Sequence, residues 1–116
     1  MANKYGIPEI VENEIRRRDK TCAYCHKRML YPYVSHKPGN SATIEHFREK
    51  GPFYWDEDLK KEDLAICCGC CNASRGRKKL LAWFKTPYCL NGGINEKTVS
   101  LPVKKYINKN EKRKKN

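Results

Sequence analysis

Seven cysteines stand in a chain of 116 residues, and four of them fall into the pairs Cys22-x-x-Cys25 and Cys68-x-x-Cys71. Two thiolates three residues apart on a tight turn reach one point in space. Two such turns can therefore supply four sulfurs to one tetrahedral zinc, the closed arrangement of a structural site. Cys67-x-x-Cys70 has the same spacing as Cys68-x-x-Cys71, so spacing alone leaves the register of the second pair open. The cysteines outside the site, Cys89 among them, then read as structural or free thiols. Metal is preferred to disulfides because the chain begins without the apolar stretch of a secretory signal, which points to a reducing, cytoplasmic compartment.

A second group of residues has the makings of hydrolytic chemistry. Ile44-Glu45-His46-Phe47 carries a carboxylate beside an imidazole, and an imidazole with an ordinary pKa of about 6.5 suits a general base near neutral pH. Asp63 and the run Cys71-Asn72-Ala73-Ser74-Arg75-Gly76 follow. In this order, Cys22-x-x-Cys25, Glu45-His46, Asp63-Leu64 and Cys68-x-x-Cys71-Asn72 with Arg75-Gly76, the sequence resembles the HNH endonucleases over about Cys22 to Trp83. The resemblance places Asn72 directly after the second Cys pair and so favours the Cys68/Cys71 register. It implies a small α+β domain of the ββα-metal kind, stapled by a four-cysteine zinc. It also implies that His46 deprotonates a water, and that Glu45 and Asn72 hold a catalytic Mg²⁺ or Mn²⁺. Glu45 stands where the family has Asp. Asp63 stands where the family has a loop-bracing Asn, and an ionised Asp can accept hydrogen bonds but not donate them.

These side chains need elements to position them. Ile7, Val11 and Ile15 recur every four residues, with Ile10 beside them and acidic residues early, which predicts an amphipathic helix over about 8–19. The basic run Arg16 to Arg18 falls at its C-terminal end, where it either complements the helix dipole or contacts DNA. Alternation over Ala42 to Phe47 predicts a strand with Glu45 and His46 on opposite faces, so the two can serve one ion only if the backbone bends there. Asp63 to Cys68 predicts a second strand. Asn72 then reads as the N-cap of a helix carrying Leu80, Leu81, Trp83 and Phe84 and stopped by Pro87. Thr98 to Val103 reads as a further strand. A single domain over 1–103, with its core motif at 22–86, is thus expected to precede a disordered basic tail over 104–116.

The formal charge of +12 favours a polyanionic partner. Seven basic residues and one acidic residue lie between Lys104 and Asn116, and Arg75, Arg77, Lys78 and Lys79 cluster beside Asn72. Those four are the expected phosphate contacts, and Tyr54 and Trp55 are expected either to line a substrate loop or simply to cover it. No apolar run is long enough for a membrane span. The expectation is a metal-dependent hydrolase of phosphodiester bonds in double-stranded DNA, acting as a monomer or homodimer. The alternative is a zinc-stabilised nucleic-acid-binding module without catalysis, which needs neither His46 nor a divalent cation.

Overall fold

In the computed structural model, residues 6–48 and 60–112 are described. Helix α1 (Glu9–Arg18) is followed by a long connection to strand β1 (Ala42–His46). Strand β2 (Leu64–Cys68) runs directly into α2 (Gly69–Arg75), and three short helices follow, α3 (Leu80–Trp83), α4 (Pro87–Gly92) and α5 (Leu101–Tyr106). A π-helical turn, Ile107–Glu111, extends α5. The two strands pair antiparallel, with Ala42 opposite Cys68, Ile44 opposite Ile66 and His46 opposite Leu64.

Every residue of β2 is buried, because both faces of the hairpin are covered. Leu64 and Ile66 join Ala42 and Ile44 against Ile7, Val11 and Ile15 on one face. Ala65 and Cys67 face the other way, into a larger core built around Tyr24, Phe47, Trp83 and Val103. Asp19 fastens α1 to the sheet, since its carboxylate accepts the Ile66 backbone N–H at 2.9 Å. Ile10, on the outer side of α1, is exposed.

The single helix expected from Asn72 to Pro87 is two helices. Its first part begins earlier, at Gly69, so Asn72 lies inside α2 and is not its N-cap. It ends at Gly76, whose φ of 56° lies in a region that other residues enter at a cost. Gly69 is needed for a different reason. A Cβ there would overlap the Pro38 carbonyl, so glycine lets the Pro38–Asn40 turn lie against the start of α2. Pro87 opens α4 at its first position, where a missing N–H costs nothing.

Two further expectations are corrected at the C-terminal end. Thr98 to Val103 forms no strand; α5 begins at Leu101, with Pro102 in its first turn. Residues 104–112 are not a disordered tail. Tyr106 and Ile107 are buried in the main core, Tyr106 with its ring centroid 5.0 Å from that of Phe47. Both Glu111 carboxylate oxygens accept α3 backbone N–H groups, from Leu80 at 2.9 Å and Leu81 at 3.0 Å. The high charge of this segment conceals an apolar face that covers Trp83 and Phe47. The expectations for Tyr54, Trp55 and residues 113–116 lie outside the described residues. Among the described residues no helix is long and apolar enough to cross a membrane.

Candidate functional site

The sulfurs of Cys22, Cys25, Cys68 and Cys71 all lie within 4.8 Å of one another. Sulfurs held by one tetrahedral metal at about 2.3 Å stand a little under 4 Å apart, and Cys25 Sγ and Cys68 Sγ are 3.9 Å apart. The N-terminal pair sits on a turn whose backbone N–H groups, from Tyr24 at 3.4 Å and Cys25 at 3.5 Å, point at Cys22 Sγ as they would at a thiolate. A hydrogen bond with Cys68, joined by one with Cys71, holds the Cys22 thiol far below its ordinary range. The same partner, Cys22, pushes Cys68 up to about 11 and Cys71 higher still. These three groups thus compete for negative charge, and a bound cation would end that competition by stabilising the thiolates. They can hold one metal ion.

The register of the second pair is resolved by the other two sulfurs. Cys67 is buried beside Thr43, with its Sγ 3.8 Å from Thr43 Oγ1. Cys70 is exposed, near Gly39. Neither belongs to the cluster.

Glu45 and His46 follow the alternation of a regular strand and do not converge. Glu45 points inward toward α2 and is 2% exposed. Its Oε2 accepts a hydrogen bond from the Tyr24 hydroxyl at 2.7 Å and pairs with Arg75 Nη1 at 2.9 Å. Burial pushes the Glu45 carboxyl above its ordinary range, against the pull of Arg75. The expected ligand pair of Glu45 and Asn72 is therefore corrected: this carboxylate is neutralised inside the protein and is not presented to a cation.

Arg75 is corrected with it. Its side chain is fully buried and does not meet phosphate as expected. Besides Glu45, its guanidinium donates to the backbone carbonyls of His46, Phe47 and Lys78. It braces the strand end that carries His46. Arg77, Lys78 and Lys79, expected in the first turns of a helix, are exposed in the connection after Gly76. Lys78 Nζ turns back to the Ser74 carbonyl at 3.2 Å.

Asn72 lies on the Glu45 side of the hairpin. Its amide nitrogen donates to Thr43 Oγ1 at 2.9 Å and to the Ile44 carbonyl at 3.4 Å, so the amide oxygen is the end able to ligate a cation. His46 shares the opposite face with Ala42 and Ile44 and is half-buried at the loop end of the hairpin. Its Nδ1 lies 3.2 Å from the Arg48 carbonyl. A carbonyl can only accept, so in this contact Nδ1 is the donor. Asp63 braces the same end: its Oδ2 accepts the Lys60 N–H at 3.0 Å, and its carbonyl accepts the Phe47 N–H at 2.8 Å. The acceptor half of the expected bracing is present.

Beside this loop end, between the hairpin and α5, opens a cleft of about 1110 Å³. Arg48, Lys60, Lys61, Lys105 and Lys109 line it. Sequence reasoning misses this wall because the charge of residues 104–116 reads as disorder. The four-residue spacing of Lys105 and Lys109, which sets both on one helical face, is the signal that could have found it.

No family model, no curated protein and no solved structure matches the chain.

Proposed function

We propose that this protein is an endonuclease of the HNH kind that hydrolyses phosphodiester bonds in DNA, with His46 as general base and a structural zinc on Cys22, Cys25, Cys68 and Cys71. The observation that carries the reading is the state of His46. Its Nδ1 donates to the Arg48 carbonyl, which holds the ring at the strand end, and Arg48, two residues on, lines a basic cleft; we assign the other ring nitrogen, Nε2, as the base. The paired strands, the helix that follows β2 directly and the four-cysteine staple support the same reading. So does the order of the motifs along the chain.

The cysteine set suits zinc: four soft thiolates, three of them fully buried, joining the turn at Cys22 to the start of α2. The catalytic Mg²⁺ or Mn²⁺ that the resemblance implies finds a smaller donor set. Asn72 offers a hard, neutral oxygen from the face of the hairpin opposite His46, while Glu45 is taken up by Arg75, so the negative charge around such an ion would come from the substrate phosphate. When bound, a divalent cation supplies stabilisation of the charge that develops on the phosphate and the leaving oxygen. His46 Nε2 accepts the proton of the attacking water, and its link to the Arg48 carbonyl keeps the ring oriented during that transfer.

The second reading, a zinc-stabilised nucleic-acid-binding module without catalysis, is favoured by one observation, the Glu45–Arg75 pair that withdraws the carboxylate next to His46. One experiment separates the two. Supercoiled plasmid is incubated with zinc-loaded protein and added Mg²⁺ or Mn²⁺, comparing wild type with folded His46→Ala. Relaxation by wild type and at least about a hundredfold loss in the variant is expected, within the range general-base removal costs. Equal DNA binding by both proteins with no cutting by either gives the binding module the place.

A further inference from the structure

We infer that the cleft between α5 and the loop end of the hairpin is the groove that holds the backbone of duplex DNA, with Lys105 and Lys109 as its principal phosphate contacts. This deepens the nucleic-acid reading of the same site and rests on it. It also moves the phosphate contacts away from Arg75, which is buried, to a helical wall that the charge of the segment disguises.

Three observations converge on it. The first is charge. Among the described residues the lining of the cleft carries more cations than carboxylates, the latter being Asp19, Glu62 and Asp63. One of these carboxylates is already paired inside the protein, while Asp63 keeps its charge on a backbone hydrogen bond. Asp19 is held in a two-pronged pair with Arg18, both contacts at 2.8 Å, and accepts the Ile66 N–H as well. Asp63 accepts the Lys60 N–H. Even with Arg18 paired to Asp19 and Lys61 paired to Glu14, the lining keeps an excess of positive charge. Concave walls of low dielectric concentrate its field on an anion.

The second observation is rigidity. Lys105 and Lys109 are exposed, but they project from a helical segment anchored by Val103, Tyr106 and Ile107 in the core. Their stems leave a fixed scaffold one turn apart, so binding a phosphate orders little more than the side chains themselves. Two cations at this spacing on one helical face match a repeated anion better than a single small one.

The third is position. Arg48 lines the cleft, and its carbonyl lies 3.2 Å from His46 Nδ1. His46 itself is not among the lining residues, so a nucleic-acid backbone lying in the cleft reaches the neighbourhood of the strand end through Arg48.

The test measures the affinity of the zinc-loaded full chain for a short DNA duplex, without added Mg²⁺ or Mn²⁺, across a range of salt. Lys105→Ala/Lys109→Ala is compared with Lys85→Ala/Lys97→Ala, which removes two exposed charges outside the cleft. The cleft variant is expected to bind about tenfold more weakly near ~100 mM salt, and to flatten the slope of log K against log salt by about 1.8, the loss of two phosphate contacts. The control is expected to keep the wild-type slope. Equal losses in the two variants, or wild-type binding by the cleft variant, overturn the proposal. The two readings fail separately. If wild type cuts plasmid and the cleft variant binds and cuts as well as wild type, the groove is elsewhere and the nuclease stands. If the cleft variant alone loses binding while wild type never cuts, the groove stands and hydrolysis does not.

Discussion

Arg75 Nη1 lies 2.9 Å from Glu45 Oε2, with both side chains withdrawn from solvent and the Tyr24 hydroxyl on the same oxygen. The pair ties the helix that follows the second cysteine knuckle to the strand that carries His46. Removing one member leaves the other as an uncompensated charge in the core. Arg75→Ala is expected to cost about 3–5 kcal/mol of stability, measured by urea unfolding of the zinc-loaded protein. A loss under about 1 kcal/mol would mean that water reaches Glu45 and the pair is not closed.

The four-cysteine cluster predicts one metal per chain and a strict division among neighbouring thiols. Cys68→Ser and Cys71→Ser are expected to lose tight metal binding, while Cys70→Ser keeps it, because Cys70 is exposed and outside the cluster. Cobalt absorption in the thiolate region reads this directly. Chelation of the metal is expected to unfold the domain cooperatively, since for small sites of this kind metal binding is worth about 10–16 kcal/mol of folding free energy. Full metal binding by Cys68→Ser would move the register to Cys67/Cys70.

Gly69 and Gly76 are favoured for different reasons, and the two substitutions should differ. At Gly69 an added Cβ meets backbone that cannot step aside, so Gly69→Ala displaces the Pro38–Asn40 turn from α2. The expected cost is about 3 kcal/mol, at the upper end of overpacking. At Gly76 there is open space, and only the positive φ is strained, so Gly76→Ala is expected to cost about 1 kcal/mol. Thermal melts of the two variants, run side by side with equal metal content, give the order.

Glu111 caps a helix some thirty residues away in sequence. Glu111→Gln keeps the shape but removes the charge that faces the first N–H groups of α3. About 1 kcal/mol of destabilisation is expected, most of it screened by high salt if the helix dipole dominates. Truncation after Val103 removes Tyr106 and Ile107 as well and is expected to leave no cooperative unfolding transition. A truncated chain that melts as sharply as the full one would restore the disordered tail.

What the sequence discloses is local. The two Cys-x-x-Cys pairs can be found because each is written within four residues, and the structure needs only to bring them together. The strand at Ala42 and the helix at Glu9 are legible from periodicity. The fate of Glu45 is half legible: alternation puts it opposite His46, but nothing near it announces Arg75, thirty residues on. Arg75 itself is not legible because the break at Gly76 is not foreseen from the helical pattern around it, so a buried brace resembles a charge on an exposed helix. At the C-terminal side two signals compete. The β-branched residues of Thr98 to Val103 suggest a strand, and the lysines after them suggest disorder. The helical spacing of Val103, Tyr106 and Ile107 prevails, because Trp83 and Phe47 require a cover.

The contribution of Ile107 and Glu111 also sets the order in which the domain can be made. As the chain is synthesised from its N-terminus, the knuckle at Cys22 waits for Cys71, but α3 and the Trp83 pocket wait longer, until the residues that cap and cover them have left the ribosome. Metal capture can therefore precede closure of the core. A product interrupted between the two events would carry its zinc ligands and still display Trp83 and Phe47 to the chaperones and proteases that survey nascent chains.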